Sequence, residues 1–172
     1  QVIGRGLGTQ TTLAGSNTLV LDTDGIMTRP LQPAFHAHKN GTDQDNIALG
    51  SYQTVTFSHE RFDNNGDFAS NTFTAPVTGK YKLTTKIRMG AVDSSGGYYI
   101  IGISTSNEDY KTIMTPTVFS GDATYWSEDV SVLADMDAND TATVAFYQDT
   151  GTQQTDIEGN AEYTFFTGYL VC

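Results

Sequence analysis

Three groups of residues in this chain have types and spacings that could do chemistry. His36 and His38 stand two apart, which puts both side chains on one face of a strand. Two imidazoles so placed could hold a transition metal if a third ligand came from elsewhere. The third histidine, His59, has no partner nearby in sequence. Asp135, Asp137 and Asp140 open like a calcium loop, because carboxylates at alternate positions of a turn can share a hard cation. The pattern departs from the full calcium loop where Asp140 replaces its glycine and Phe146 its last glutamate. Calcium therefore enters as a candidate cofactor at Asp135, Asp137 and Asp140. Asp63, Asn65 and Asp67 repeat the acidic-turn pattern, and a solvated turn explains both runs equally.

Enzymatic signatures are missing. Gly4-Arg5-Gly6-Leu7-Gly8 follows no strand, opens no helix and lacks the downstream lysine of a phosphate loop. No Gly-x-Ser-x-Gly elbow occurs. With 20 acidic residues, no carboxylate pair stands out as a glycosidase pair. The chain is expected not to be an enzyme. Trp126, Tyr98 and Tyr110 belong to an aromatic concentration and are candidate ligand contacts, since flat rings bind sugars.

The elements that must position these residues read as strands. The 172 residues suffice for one domain with a real core. The 26 threonines, with nine tyrosines and nine phenylalanines, favour the pleated, half-buried surface of a sheet. From Lys80 to Arg88 polar and apolar residues alternate, with Tyr81, Leu83, Thr85 and Ile87 on one face. Tyr98 to Ile103 is apolar almost throughout. Val130, Val132 and Leu133 indicate a strand before a polar turn from Asp135 to Asp140. Thr141 to Tyr147 alternates less cleanly, and Tyr163 to Val171 forms a closing strand. Turn clusters such as Asn64-Asn65-Gly66-Asp67 and Asp93-Ser94-Ser95-Gly96-Gly97 separate them. Phe35, Phe73, Leu83, Ile101, Val144, Phe146 and Leu170 are the expected core. Residues 1–32 are Gly- and Thr-rich, with one apolar run, Leu19-Val20-Leu21, and a hairpin signal at Asp24-Gly25. This arm is expected to pack on the main domain or to pair with copies of itself.

Charge narrows the partners. Nine Lys and Arg against 20 Asp and Glu give a net charge of −11, which argues against nucleic acid and anionic membrane surfaces. No apolar run is long enough for membrane insertion. The lone cysteine, Cys172, rules out an internal disulfide and a cysteine-based zinc site. The opening residues show no basic-then-apolar leader, so no signal peptide is expected within the sequence given, which is compatible with an excerpt of something longer.

One ordered set of motifs goes further. It comprises Pro33-Ala34-Phe35-His36-Ala37, then Phe57, Asp63 and Phe68, then Phe73-Thr74-Ala75-Pro76 with Gly79 and Tyr81, and finally Phe166-Thr167-Gly168-Tyr169-Leu170. On these residues, 33–172 resembles the globular domain of the complement C1q and tumour-necrosis-factor-like superfamily. Leu83 and Thr85 depart from it, standing where that family usually has aromatics. The resemblance implies an antiparallel two-sheet jelly-roll sandwich, all-β, with 1–32 as a short β-rich N-terminal arm. It also implies a homotrimer built on the first and last strands of one sheet. Ala34, Phe35, Ala37, Tyr81, Phe166 and Tyr169 are then the candidate interface residues.

A second resemblance rests on Leu21 to Thr28, Pro30 and Gln32 to Phe35, which look like a shaft-to-head junction in structural proteins of tailed bacteriophages. It implies a virion protein: a trimeric fibre, spike or capsid decoration whose head contacts other virion proteins and a host surface glycan. The alternative is a secreted C1q-like recognition module, which could use the sequons at Asn40 and Asn139. A polysaccharide-degrading enzyme on the same appendage is the third.

Overall fold

The computed structural model describes residues 19–21 and 24–172. The chain divides into two compact units, 1–32 and 33–172. In the first, β1 (Val20–Leu21) pairs antiparallel with β2 (Met27–Thr28), and Gly25 takes the positive φ that the intervening turn requires. Val20 and Leu21 thus find strand partners within the chain. Most of the expected arm lies outside the described residues.

The second unit is a sandwich of two sheets. Its strands are β3 (Ala34–His38), β4 (Gln53–Thr54), β5 (His59–Asp63), β6 (Phe68–Ala69), β7 (Thr72–Thr74), β8 (Gly79–Val92), β9 (Tyr99–Thr105), β10 (Asp109–Met114), β11 (Ala123–Met136), β12 (Thr141–Gln148), β13 (Asp156–Ile157) and β14 (Phe165–Leu170). One sheet runs β10-β9-β12-β7-β6, with β4 also on β12. The other runs β11-β8-β14-β3-β5, with β13 also on β8. Every pairing between these strands is antiparallel. Among the described residues the one helical piece is a single 3-10 turn at Pro116–Val118. The expected antiparallel jelly roll is the fold.

Parity explains the core. On β8, Tyr81, Leu83, Thr85, Ile87 and Met89 all point inward and are fully buried. On β12 the inward set is Ala142, Val144, Phe146 and Gln148, a cleaner alternation than the residue types announce. Phe35 sits at the centre, its ring 5.1 Å from Phe68, 4.7 Å from Phe73 and 5.0 Å from Phe166. Leu170 differs from expectation: it is only partly buried, packed on the rim of the core as β14 ends. The strand read at Val130 is also longer than expected. It continues through Met136, so Asp135 lies in β11 opposite Lys80 rather than in a turn.

Gly168 shows how tight the centre is. A Cβ there would stand 2.6 Å from Leu83 Cδ2 and 2.8 Å from Phe35 Cε1. Both are parts of fully buried side chains that cannot swing away. Gly168→Val is therefore expected to lose about 3 kcal/mol or more of stability, read as a fall in urea midpoint. An unchanged midpoint would mean the core yields there.

At the sandwich apex, Asp93 is 1% exposed. One carboxylate oxygen accepts from the Ser95 backbone N–H at 2.8 Å and the Ser95 hydroxyl at 2.6 Å. The other accepts from the backbone N–H groups of Thr152 and Gln153. The group is sealed by these two loops rather than sunk in the apolar core. Burial pushes the carboxyl up, but the donors from Ser95, Gln153 and Thr152 together outweigh it, so it titrates well below the usual carboxylate range.

Candidate self-association face

The sheet β11-β8-β14-β3-β5 has a second face, turned away from the core. Paired residues on antiparallel strands share a face, so the register maps it directly. One row holds Asp129, Lys86, Phe165, His38 and His59. The next holds Ser131, Thr84, Thr167, His36 and Phe62. A third holds Leu133, Lys82, Tyr169 and Ala34. Four large apolar or aromatic residues are open to solvent on this face: Phe62 at 48%, Tyr125 and Tyr169 each at 51%, and Leu133 at 52%. Phe165 and His36 lie half-buried between them.

The face is basic in a chain that is acidic. Lys80, Lys82, Lys86 and Arg88 project from β8 on this side, and Arg61 lies at the bulge where β5 shifts register against β3. With the histidines, they place five of the nine Lys and Arg, and all three His, on one sheet. The Arg88 guanidinium is stacked between Tyr125 at 3.8 Å and Tyr163 at 4.5 Å, which fixes it. Lys80 pairs with Asp135 at 3.5 Å in the open, where such a pair contributes little.

The histidines form a line. The His36 ring stacks on Phe165 at 5.4 Å and lies 6.1 Å from both Phe62 and His38. His38 stacks on His59 at 6.0 Å. His38 Nδ1 is 2.7 Å from the Lys39 carbonyl, which can only accept, so this nitrogen carries hydrogen. His59 Nε2 lies 3.3 Å from the Asn40 side-chain amide, within hydrogen-bond distance. His36 Nε2 is buried with no hydrogen-bond partner. Burial, then the charges of Arg61 and His38, hold His36 below the usual histidine range.

The interface residues expected from sequence divide by parity. Phe35, Ala37, Tyr81 and Phe166 are completely buried in their own core and have no surface to offer another copy. Ala34 and Tyr169 lie on the outward face. The outward residues that sequence reasoning missed are His36, Phe62, Phe165 and Thr167. Their signal was present, since each stands next in sequence to an inward motif residue or opposite one that does.

The other candidates do not gather into sites. Asp137 accepts from the Thr78 hydroxyl at 3.3 Å. Asp140 accepts from the Asp137 N–H at 2.7 Å and from Asn107 Nδ2 at 2.6 Å. With Asp135 turned to Lys80, the three carboxylates serve separate partners. Among the described residues no three His, Cys, Asp or Glu side chains converge to hold a metal ion, so neither the calcium nor the histidine metal site is formed. Asp63 instead closes its turn, accepting from the N–H groups of Gly66, Asp67 and Phe68. Tyr98 stacks on Tyr147 at 5.7 Å. Trp126, in the other sheet and well inside β11, packs on Phe119 at 5.0 Å and donates to Glu128. Tyr110 pairs with Ile103, packs half-buried against the core and lines an open recess with Glu108 and Asp137. These three aromatics do not make one ligand platform.

No family model matches the chain, and no curated protein matches it. Solved structures do. The globular domain of zebrafish complement 1qA covers 82% of this chain and 98% of its own, at 17% identity and a TM-score of 0.56. Murine APRIL, from crystals at pH 8.0, covers 81% of this chain and 99% of its own, at 11% identity and a TM-score of 0.59. The chain has the C1q/TNF-like jelly-roll fold, as its sequence motifs implied.

Proposed function

We propose that this chain is a non-enzymatic structural head that assembles as a homotrimer through the outward face of the sheet β11-β8-β14-β3-β5. The observation that carries the proposal is the character of that face. It exposes Phe62, Leu133 and Tyr169 together, rimmed by basic residues, in a chain of net charge −11. Clustered apolar exposure marks association sites. The partner that suits a basic rim is acidic, and the rest of this chain supplies that surface. A face meeting a different patch of the next copy is a heterologous contact, which closes into a ring when the rotation allows. We place the head on a virion, as a fibre, spike or capsid decoration of a tailed phage. The support for this is the junction motif from Leu21 to Phe35. A second reading, a secreted recognition module, is favoured by the shared fold with a complement domain. Recovery of the chain within purified particles would separate the two.

Phe62→Glu combined with Tyr169→Glu tests the face. Both side chains are half-exposed, so the fold should survive with an unchanged circular dichroism spectrum. Light scattering at about 10 µM should show the variant as monomer where the parent is trimeric, since a buried unpaired charge opposes association strongly. A variant that stays trimeric would remove this face from the assembly.

A further inference from the structure

We propose that assembly through this face is released by acid, with His36, His38 and His59 as the proton sensors. The inference rests on the self-association reading above and deepens it. All three histidines of the chain lie in adjacent rows of that face, on β3 and its neighbour β5. Each of their hydrogen-bond contacts can be made by a neutral ring. His59 Nε2 lies within hydrogen-bond distance of the Asn40 side-chain amide. His36 Nε2 is already shut away from solvent with nothing to receive a proton's hydrogen bond.

Around His36, burial and the nearby positive charge favour the neutral form. β14 offers Phe165, Thr167 and Tyr169. β5 brings Phe62 and the charge of Arg61. Beyond β14 stand Lys82 and Lys86, and the Lys86 ammonium lies over the Tyr163 ring. Three acids stand near the histidines, with Asp129 in the same row as His38 and His59. Glu60 is opposite the inward Ala37, and Asp63 is occupied by its own turn. Asp129 is across β8, opposite Lys86. Lys39 is buried beside the row, where burial lowers its ammonium's affinity for the proton. Acid therefore adds positive charge to a basic surface that association must desolvate.

The sign follows. A histidine whose neutral form is required in the assembly contributes fully above the value it has in the unassembled chain, which for His36 lies below the usual histidine range. That contribution is lost as pH falls, about tenfold in affinity per ring for each pH unit below it. Between about pH 7.5 and pH 5.5 the association constant should fall by at least tenfold.

The experiment is light scattering of the whole chain at about 10 µM across that range, with circular dichroism to follow folding. The expected result is an assembly at pH 7.5 that dissociates into folded monomers by about pH 5.5. The variant with His36→Gln, His38→Gln and His59→Gln should remain assembled at the acid end. If that variant does not fold, His59→Gln alone, at an exposed edge-strand position, should move the dissociation midpoint to lower pH. A parent that stays assembled at pH 5.5 overturns the acid release and leaves the face intact. Histidine variants that dissociate just as the parent does overturn the sensor assignment. A parent that is monomeric at pH 7.5 overturns both readings.

Discussion

Phe35→Ala should cost about 3–5 kcal/mol, the largest effect expected of any single truncation in this chain. The ring is wholly buried, stacked on Phe68 and Phe73 and met edge-on by Phe166. It also fills the space that Gly168 leaves open on the adjoining strand. Truncation empties a cavity between the two sheets that rigid strands on both sides cannot collapse. Small domains are stable by about 5–15 kcal/mol, so the variant should sit near the edge of folding. Urea unfolding followed by tyrosine and tryptophan fluorescence measures it. A loss below about 1 kcal/mol would contradict the packing described.

Asp93→Ala should cost about 2–4 kcal/mol, because it strands donors from two loops. These are the backbone N–H groups of Ser95, Thr152 and Gln153 and the Ser95 hydroxyl. The pH dependence distinguishes this loss from simple loop damage. The folded carboxyl titrates below its unfolded value, so its contribution is complete above about pH 4. It is lost as pH falls further. The parent should therefore lose stability between about pH 4 and pH 2 more steeply than Asp93→Ala does. Parallel stability curves for the two proteins would show that the carboxylate is not the active feature.

Sequence made the sandwich legible where burial has a period of two and residue types match it, as from Lys80 to Arg88. It was less legible on β12, where Ala142 and Gln148 hold inward positions without looking apolar or large. The site was harder. Motif residues such as Phe35, Tyr81 and Phe166 are aromatic because they form the core, and the same aromatic character made them look like contact residues. Only register separates the two roles, since a one-residue slip exchanges the faces of a strand. His59 could not be joined to His38 from sequence. The pairing of β3 with β5 spans some 20 residues and contains a bulge, and neither feature has a local signature. Asp93 read as an ordinary turn residue because its partners at Thr152 and Gln153 are distant in the chain.

The role of the outward face has one direct measurement: the mass of the unmodified chain in solution, by sedimentation or light scattering at about pH 7.5. The account predicts a single species of three times 18.6 kDa that persists to low micromolar concentration, as expected of an interface burying about 2,000 Å² or more. A stable species of 18.6 kDa over the same range would contradict it.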